Sequence, residues 1–350
     1  MTRHRQTLSV CIIAKNEEAY IENSLKSILP VADEIIFVDT GSTDNTVAIA
    51  KKYTDKIYFT EWENDFSKAR NEYLKYATCD WILSIDADEV LTKESQVQIL
   101  NFLLMDKFKD EPIVFNFKIL EETEIKDKYK IFYKRALFKN KLGFKFLRAI
   151  HEDLYIDNVE VKRVNAAMFC FYHKEKRLSK LEMEKKMKYY IEIMLNELKK
   201  DLNNKDLTDY NKHLGTSFET LGDNDKALEY YLESYKYYSK AYSSKQDLFY
   251  ENLLVKIIKL FILTKHDYKT ALTYANEFLQ ISTSLENTVN AYYYMGHCKQ
   301  NLEDFEYAIL DYQKALSILL NKKDIPNLKN MESCLNYEIE KCKSKLITKN

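Results

Sequence analysis

Three carboxylates fall within four positions, at Asp86, Asp88 and Glu89, directly after the apolar run 81–85 of WILSIDADEV. Like charges at that spacing repel, so something must offset them. A divalent cation would do so, because hard cations take carboxylate oxygens. Bulk water around an acidic loop would do so as well, and for an isolated Asp-x-Asp it is the simpler reading. Ala87, small and set between the two aspartates, leaves room for a ligand. Other polar clusters lie at Ala14-Lys15-Asn16-Glu17, at Asp39-Thr40-Gly41-Ser42, at Arg70-Asn71 and in RAIHEDLY, which carries Arg148, His151, Glu152 and Asp153. His-Glu-Asp-Leu-Tyr is not the zincin His-Glu-x-x-His, since position 155 is Tyr, and no Gly-x-Gly-x-x-Gly is present for a dinucleotide.

The elements around these clusters alternate. The segments 8–13, 33–39, 56–60 and 81–86 read as buried strands. Helical patterns lie between them: one with Ile21, Leu25, Ile28 and Leu29 on one face, one over 43–53 capped by Thr43 or Asp44, and one over 66–77. Strands alternating with helices imply crossover connections and a mostly parallel sheet. Ligands of such sheets sit beyond the carboxyl ends of the strands, and here three of those ends hold polar and acidic groups. Longer strands follow at 113–120, 129–138 and 166–173.

From residue 174 onward the chain reads as helix, with Leu178, Leu181, Tyr190, Ile191, Met194, Leu195 and Leu198 in helical period and the charge run of KEKRLSKLEMEKKMK as a solvated face. A repeat then appears. Gly215, Ala227 and Tyr231 recur at the same spacing as Gly296, Ala308 and Tyr312, and a weaker copy carries Ala271 and Ala275. That is the tetratricopeptide spacing, built from helix–turn–helix units. Small residues let paired helices approach, and the aromatics are expected to fill the gaps between units. Tyr292, Tyr293 and Tyr294 read equally as packing residues and as contacts for a partner.

Lys plus Arg number 53 and Asp plus Glu 54, so no long-range field calls for nucleic acid. The six cysteines form no Cys-x-x-Cys pair, which points to a reducing compartment. With neither a signal-peptide h-region nor a membrane-length apolar run, a cytoplasmic protein without a transmembrane segment is expected.

Four motifs in order, VCIIAKNEE, VDTGSTDNT, FSKARNEYL and WILSIDADE, resemble family 2 glycosyltransferases of the GT-A fold, and in particular the subgroup fused to C-terminal tetratricopeptide repeats, some members of which glycosylate peptides on sulfur or oxygen. The resemblance implies a GT-A α/β domain over residues 1–175, a linking helix over 176–206 and an all-α superhelical repeat domain over 207–350. It implies a metal-dependent, inverting hexosyltransferase using Mn²⁺ or Mg²⁺ and a nucleotide-sugar, a UDP-hexose by preference. Ala14, Asn16, Glu17, Asp39, Gly41, Ser42, Arg70, Asp86 and Ala87 would line the donor site. Within it the Asp39 carboxylate would accept the uracil imide N–H, and Arg70 would pair with the diphosphate or orient Asp86. Asp88 would hold the metal, with Asp86 on ribose or metal and His173 as a third ligand. The base would be Glu152 or, second, Asp153, although a helix start explains the same residues. The acceptor would be a peptide or protein recruited by the repeats, which would also serve to pair two subunits. A surface glycan or lipid-linked acceptor, and a non-catalytic peptide-binding scaffold, are the alternatives.

Overall fold

The structure is a computed structural model that describes residues 5–105, 107, 108, 111–122, 129–173, 179–243, 247–321, 328 and 330–349. Two units are present, Met1–Ser179 and Lys180–Asn350.

The first unit alternates as expected: β1 (Leu8–Ala14), α1 (Ile21–Ile28), β2 (Glu34–Asp39), α2 (Thr46–Ala50), β3 (Ile57–Phe59), α3 (Phe66–Leu74) and β4 (Trp81–Asp86). A short β5 (Glu89–Leu91), α4 (Lys93–Leu103), β6 (Ile113–Glu122), β7 (Tyr129–Lys139), the hairpin β8 (Lys145–Leu147) and β9 (Asp153–Tyr155), and β10 (Lys162–His173) complete it. The strands form one sheet in the order β3-β2-β1-β4-β7-β6-β10-β5, and β8 pairs with β9 separately. The first four strands are parallel, β7 runs antiparallel between β4 and β6, and β10 returns parallel to β6. This is a mixed, mostly parallel sheet, the kind the GT-A resemblance implies.

Alternation along β1 explains why both faces are covered. Leu8, Val10, Ile12 and Ala14 point to one core with Ile21, Leu25 and Ile28 of α1 and with Trp81, Leu83 and Ile85. Cys11 points to the other, with Ile36, Val38, Tyr73, Phe138, Phe146 and Leu154. Leu29, expected on the buried face of α1, is exposed, because the helix ends at Ile28. The helix expected over 43–53 covers only Thr46–Ala50; Asp44 Oδ1 accepts from Thr46 N at 3.0 Å, and the loop before it is spent on contacts to residues 16–18.

In the second unit, α5 (Lys180–Glu197) buries Ile191, Ile193 and Met194, whereas Leu181, expected on that face, is exposed. Residues 174–178 of the expected helix and charge run lie outside the described residues. Helix pairs α6 (Asn204–Thr220) with α7 (Asn224–Ala241), α8 (Leu248–Leu260) with α9 (Tyr268–Ile281), and α10 (Leu285–Asn301) with α11 (Phe305–Asn321) follow, and then α12 (Met331–Lys349). These are tetratricopeptide-type helix hairpins. A Cβ built on Gly215 would lie 2.5 Å from the Tyr231 ring, and one on Gly296 would lie 2.7 Å from Tyr312. The glycine is therefore the seat of the tyrosine within one hairpin, and the aromatic fills that hairpin rather than the gap between units. Ala271 and Ala275 are fully buried in α9. Tyr293 contacts His297 and Tyr312 in the cluster of α10, α11 and α12, Tyr294 packs into the cluster of α8, α9 and α10, and Tyr292 borders both. Among the described residues no helix is long and apolar enough to cross a membrane.

Candidate active site

The sheet register brings three clusters to one edge. Ala14 pairs with Asp39 and Ile13 with Asp86, so β1, β2 and β4 end side by side. His173 closes β10, where it pairs with Glu121 of β6 and Glu89 of β5.

Loops after β1 and β2 are bonded to each other. Thr40 N donates to Ala14 O at 3.0 Å, Asn16 N to Ser42 Oγ at 2.9 Å, and Thr43 N to Asn16 Oδ1 at 2.7 Å. Glu17 N donates to Thr46 Oγ1 at 2.7 Å. Asn16 takes a left-handed φ of 56°, which asparagine tolerates, and Gly41 one of 99°, which favours glycine. Within this cradle Asp39 is buried. Its Oδ2 accepts from Gly41 N and Ser42 N, both at 2.9 Å, while Oδ1 has no hydrogen-bond partner among the described residues. An unsatisfied buried acceptor is costly, and a ligand N–H would satisfy it.

Arg70 joins the next two clusters. Only 5% exposed, it donates from Nη2 to Asp86 Oδ1 at 2.7 Å, from Nη1 to Ser84 Oγ at 3.0 Å and from Nε to Glu152 Oε1 at 2.5 Å. Tyr73 OH holds Ser84 Oγ from below at 2.8 Å. The second oxygen of Asp86 meets Lys134 Nζ at 2.6 Å, and the same ammonium meets Glu89 Oε2 at 2.8 Å. Glu89 also accepts from Asp86 N at 2.8 Å, so the third acid of the opening motif shapes the turn. Burial would raise the Asp86 carboxyl, but Lys134 and Arg70 outweigh it and hold the group well below the usual carboxylate range. Burial raises the Glu89 carboxyl against the pull of Lys134.

Asp88 Oδ2 lies 3.4 Å from His173 Nε2, and this contact raises the imidazole above its ordinary value against its burial. His173 Nδ1 is buried and has no hydrogen-bond partner among the described residues. Among the described residues no group of three or more His, Cys, Asp or Glu is gathered for a metal. An Asp–His pair nonetheless fits a divalent ion that takes its other ligands from diphosphate and water. The two oxygens of Asp86 each face a cation already.

Glu152 reaches Arg70 because the β8–β9 turn is braced. Asn71 Nδ2 donates to Phe146 O and Asn71 Oδ1 accepts from Phe146 N, each at 2.8 Å; Phe66 N donates to Ala149 O at 2.8 Å. Arg148 and His151 hold left-handed φ values of 81° and 54°, uncommon for arginine in particular, which turn the chain sharply into β9. Position 152 precedes a strand, not a helix. Asp153 therefore points elsewhere: 1% exposed, it sits among Arg135 (2.6 Å), Arg163 (3.3 Å) and Arg148 (3.5 Å). The site thus brings together Asp86, Arg70 and Glu152, pairs Asp88 with His173, and sets Ala14, Asn16, Glu17, Asp39, Gly41 and Ser42 in one cradle; it leaves Asp153 in a separate arginine cluster. Lys134, Ser84, Tyr73 and the Asn71 clamp were not foreseen. The adjacent pair Lys134-Arg135, just before the buried run Ala136-Leu137-Phe138, was the available signal, since a charge there needs an acid.

Residues 9–149 match the model of the family described as glycosyl transferase family 2. That matched span of the N-terminal unit is a family 2 glycosyltransferase domain, and tetratricopeptide-type helix hairpins follow in the second unit. The chain is 36% identical over 145 residues to a TPR repeat-containing protein of Synechococcus elongatus, covering 41% of this chain and 34% of that one. It is 43% identical over 95 residues to glycosyltransferase SunS of Bacillus phage SPbeta, covering 27% and 22%. The chain thus spans about a third of the first relative and less of the second. Among solved structures, S. aureus TarS 1–349 in complex with UDP-GlcNAc is 16% identical, covers 88% of this chain and 91% of that one, and has a TM-score of 0.39, a likeness that carries no argument.

Proposed function

We propose that the protein is a metal-dependent, inverting glycosyltransferase that moves a sugar from a UDP-linked donor to a peptide or protein acceptor recruited by the repeat unit. The observation that carries this reading is the Arg70 bridge, which ties the strand-end acid Asp86 to Glu152 within the N-terminal unit.

The base of the nucleotide sits in the cradle of Asn16, Gly41 and Ser42, where Asp39 Oδ1 accepts its imide N–H. Asp88 and His173 would hold Mn²⁺ or Mg²⁺, which when bound stabilises the negative charge of the departing diphosphate as a Lewis acid. Glu152 takes the proton of the acceptor atom as that atom bonds to the anomeric carbon; the bond from that carbon to the diphosphate oxygen breaks on the opposite face, inverting the centre. Arg70 orients the Glu152 side chain toward the acceptor, and Asn71 keeps the turn that carries it. Glu152 has 16% of its side chain exposed, so an acceptor can reach it. Asp153, sealed by arginines, serves as the anchor of the turn.

Incubation with a panel of nucleotide-sugars and Mn²⁺ tests the reading. Release of nucleoside diphosphate, lost in Glu152→Gln and Asp88→Asn, is the expected result. Absence of release or transfer with every donor, together with no nucleotide binding, would count decisively against it.

A further inference from the structure

Two cations share Asp86, and they differ in what they have left to offer. Arg70 is almost sealed and has each of its three nitrogens on a protein partner: Glu152, Ser84 and Asp86. Lys134, on the neighbouring strand β7, keeps 19% of its side chain exposed. Its ammonium has three donors, and among the described residues it meets two acceptors, Asp86 Oδ2 at 2.6 Å and Glu89 Oε2 at 2.8 Å. The position is also specific. Asp86 leads to Arg70 and Glu152 on one side, and Glu89 is the strand partner of His173 on the other. The ammonium therefore stands between the Arg70 bridge and the Asp88–His173 pair, at the edge where a donor's phosphates must lie.

Resting on the reading of this edge as a nucleotide-sugar site, we propose that Lys134 is a donor-binding residue whose remaining N–H goes to an oxygen of the donor diphosphate. The bound nucleotide then has one fixed protein cation on its phosphates, and Arg70 is a positioning residue that never touches them. A charge-assisted bond of this kind adds to affinity only where phosphate is present. The alternative role for Lys134 is that of a counter-ion for buried Glu89, with no contact to ligand.

Binding of UDP, GDP, dTDP and CDP, and of the four parent nucleosides, to the full chain with Mn²⁺ separates the two by calorimetry. Lys134→Met is expected to weaken the preferred diphosphate about tenfold or more and to leave its nucleoside unchanged. Because that variant strands Glu89, the charge-balanced Glu89→Gln/Lys134→Met pair is measured beside it; the glutamine keeps an acceptor for Asp86 N. The double variant should retain the loss for the diphosphate. Wild-type affinity for the diphosphate in the double variant would overturn the proposal and make Lys134 a counter-ion only, as would equal losses for nucleoside and diphosphate. Failure of the wild-type protein to bind any of the eight compounds would instead remove the nucleotide-sugar reading itself, and the proposal with it.

Discussion

Replacing Arg70 by Met should cost the N-terminal unit roughly 3 kcal/mol at neutral pH, and the cost should shrink in acid. Removing one partner of a buried ion pair costs about 3–5 kcal/mol, because the other charge is left uncompensated. Two features lower that figure here: Asp86 keeps Lys134 and has 37% of its side chain exposed, and the methionine replaces the arginine's apolar stem. Two features keep it substantial: Glu152 loses its 2.5 Å partner, and Ser84 loses a donor. The sign with pH follows from Asp86. Lys134 and Arg70 together overcome its burial and hold it below its unfolded value. Its contribution is thus present above about pH 4 and is lost as pH falls further. The gap between wild type and variant should be full at pH 7 and smaller near pH 3.5. Urea denaturation followed by tryptophan fluorescence reads this cleanly, because the two tryptophans, Trp62 and Trp81, both belong to the first unit. Arg70→Lys should fall between, since an ammonium keeps the charge but lacks the planar fork that reaches Glu152, Ser84 and Asp86 at once. A gap below about 1 kcal/mol, or one equal at both pH values, would refute the idea that Arg70 is the electrostatic keystone of the site.

Gly215→Ala should destabilise the repeat unit by about 1–3 kcal/mol despite the better helix propensity of alanine, since the new methyl meets the Tyr231 ring, whose OH is bonded to Glu219 at 2.7 Å; far-ultraviolet dichroism during thermal melting checks it, and a neutral or stabilised variant contradicts it. Glu34 is held at about 2 because Lys56, Ser9 and Thr78 outweigh its burial. Its stabilisation, at most about 3 kcal/mol, is present above about pH 4.5 and lost toward about pH 2, so Glu34→Gln should flatten the acid limb of the stability curve; an unaltered limb would show that the carboxylate is not the source. Asp39→Asn should weaken uridine binding about tenfold by placing an N–H against the ligand's N–H, and unchanged affinity would move the base out of this cradle.

Much of this was written plainly in the chain. The near-continuous apolar run from Val10 to Ile13 announced a strand buried on both faces, and the Gly–Ala–Tyr spacing of 215, 227 and 231 announced a hairpin because only a glycine can sit beneath that ring. Helix ends were harder to read. Asp44 and Thr46 have the types of a cap, yet their groups are drawn into the β1 loop, and α2 shrinks accordingly. Glu152 and Asp153 could not be separated while the segment was open to a helical reading; as a strand entry, period two sends them to opposite sides. Lys134 escaped notice because its acids lie far off in sequence and meet it only through the β4–β7 pairing. The left-handed backbone at Arg148 and His151 has no signature in residue type, since the surrounding turn imposes it.

The central claim is that the edge formed by β1, β2 and β4 receives a nucleotide-sugar. Crystals grown with UDP and Mn²⁺, with the metal located by its anomalous scattering, test that claim most directly. Uracil against Asp39, with manganese between Asp88, His173 and the diphosphate, is the predicted result. Nucleotide bound away from this edge, or manganese on residues other than Asp88 and His173, would contradict it.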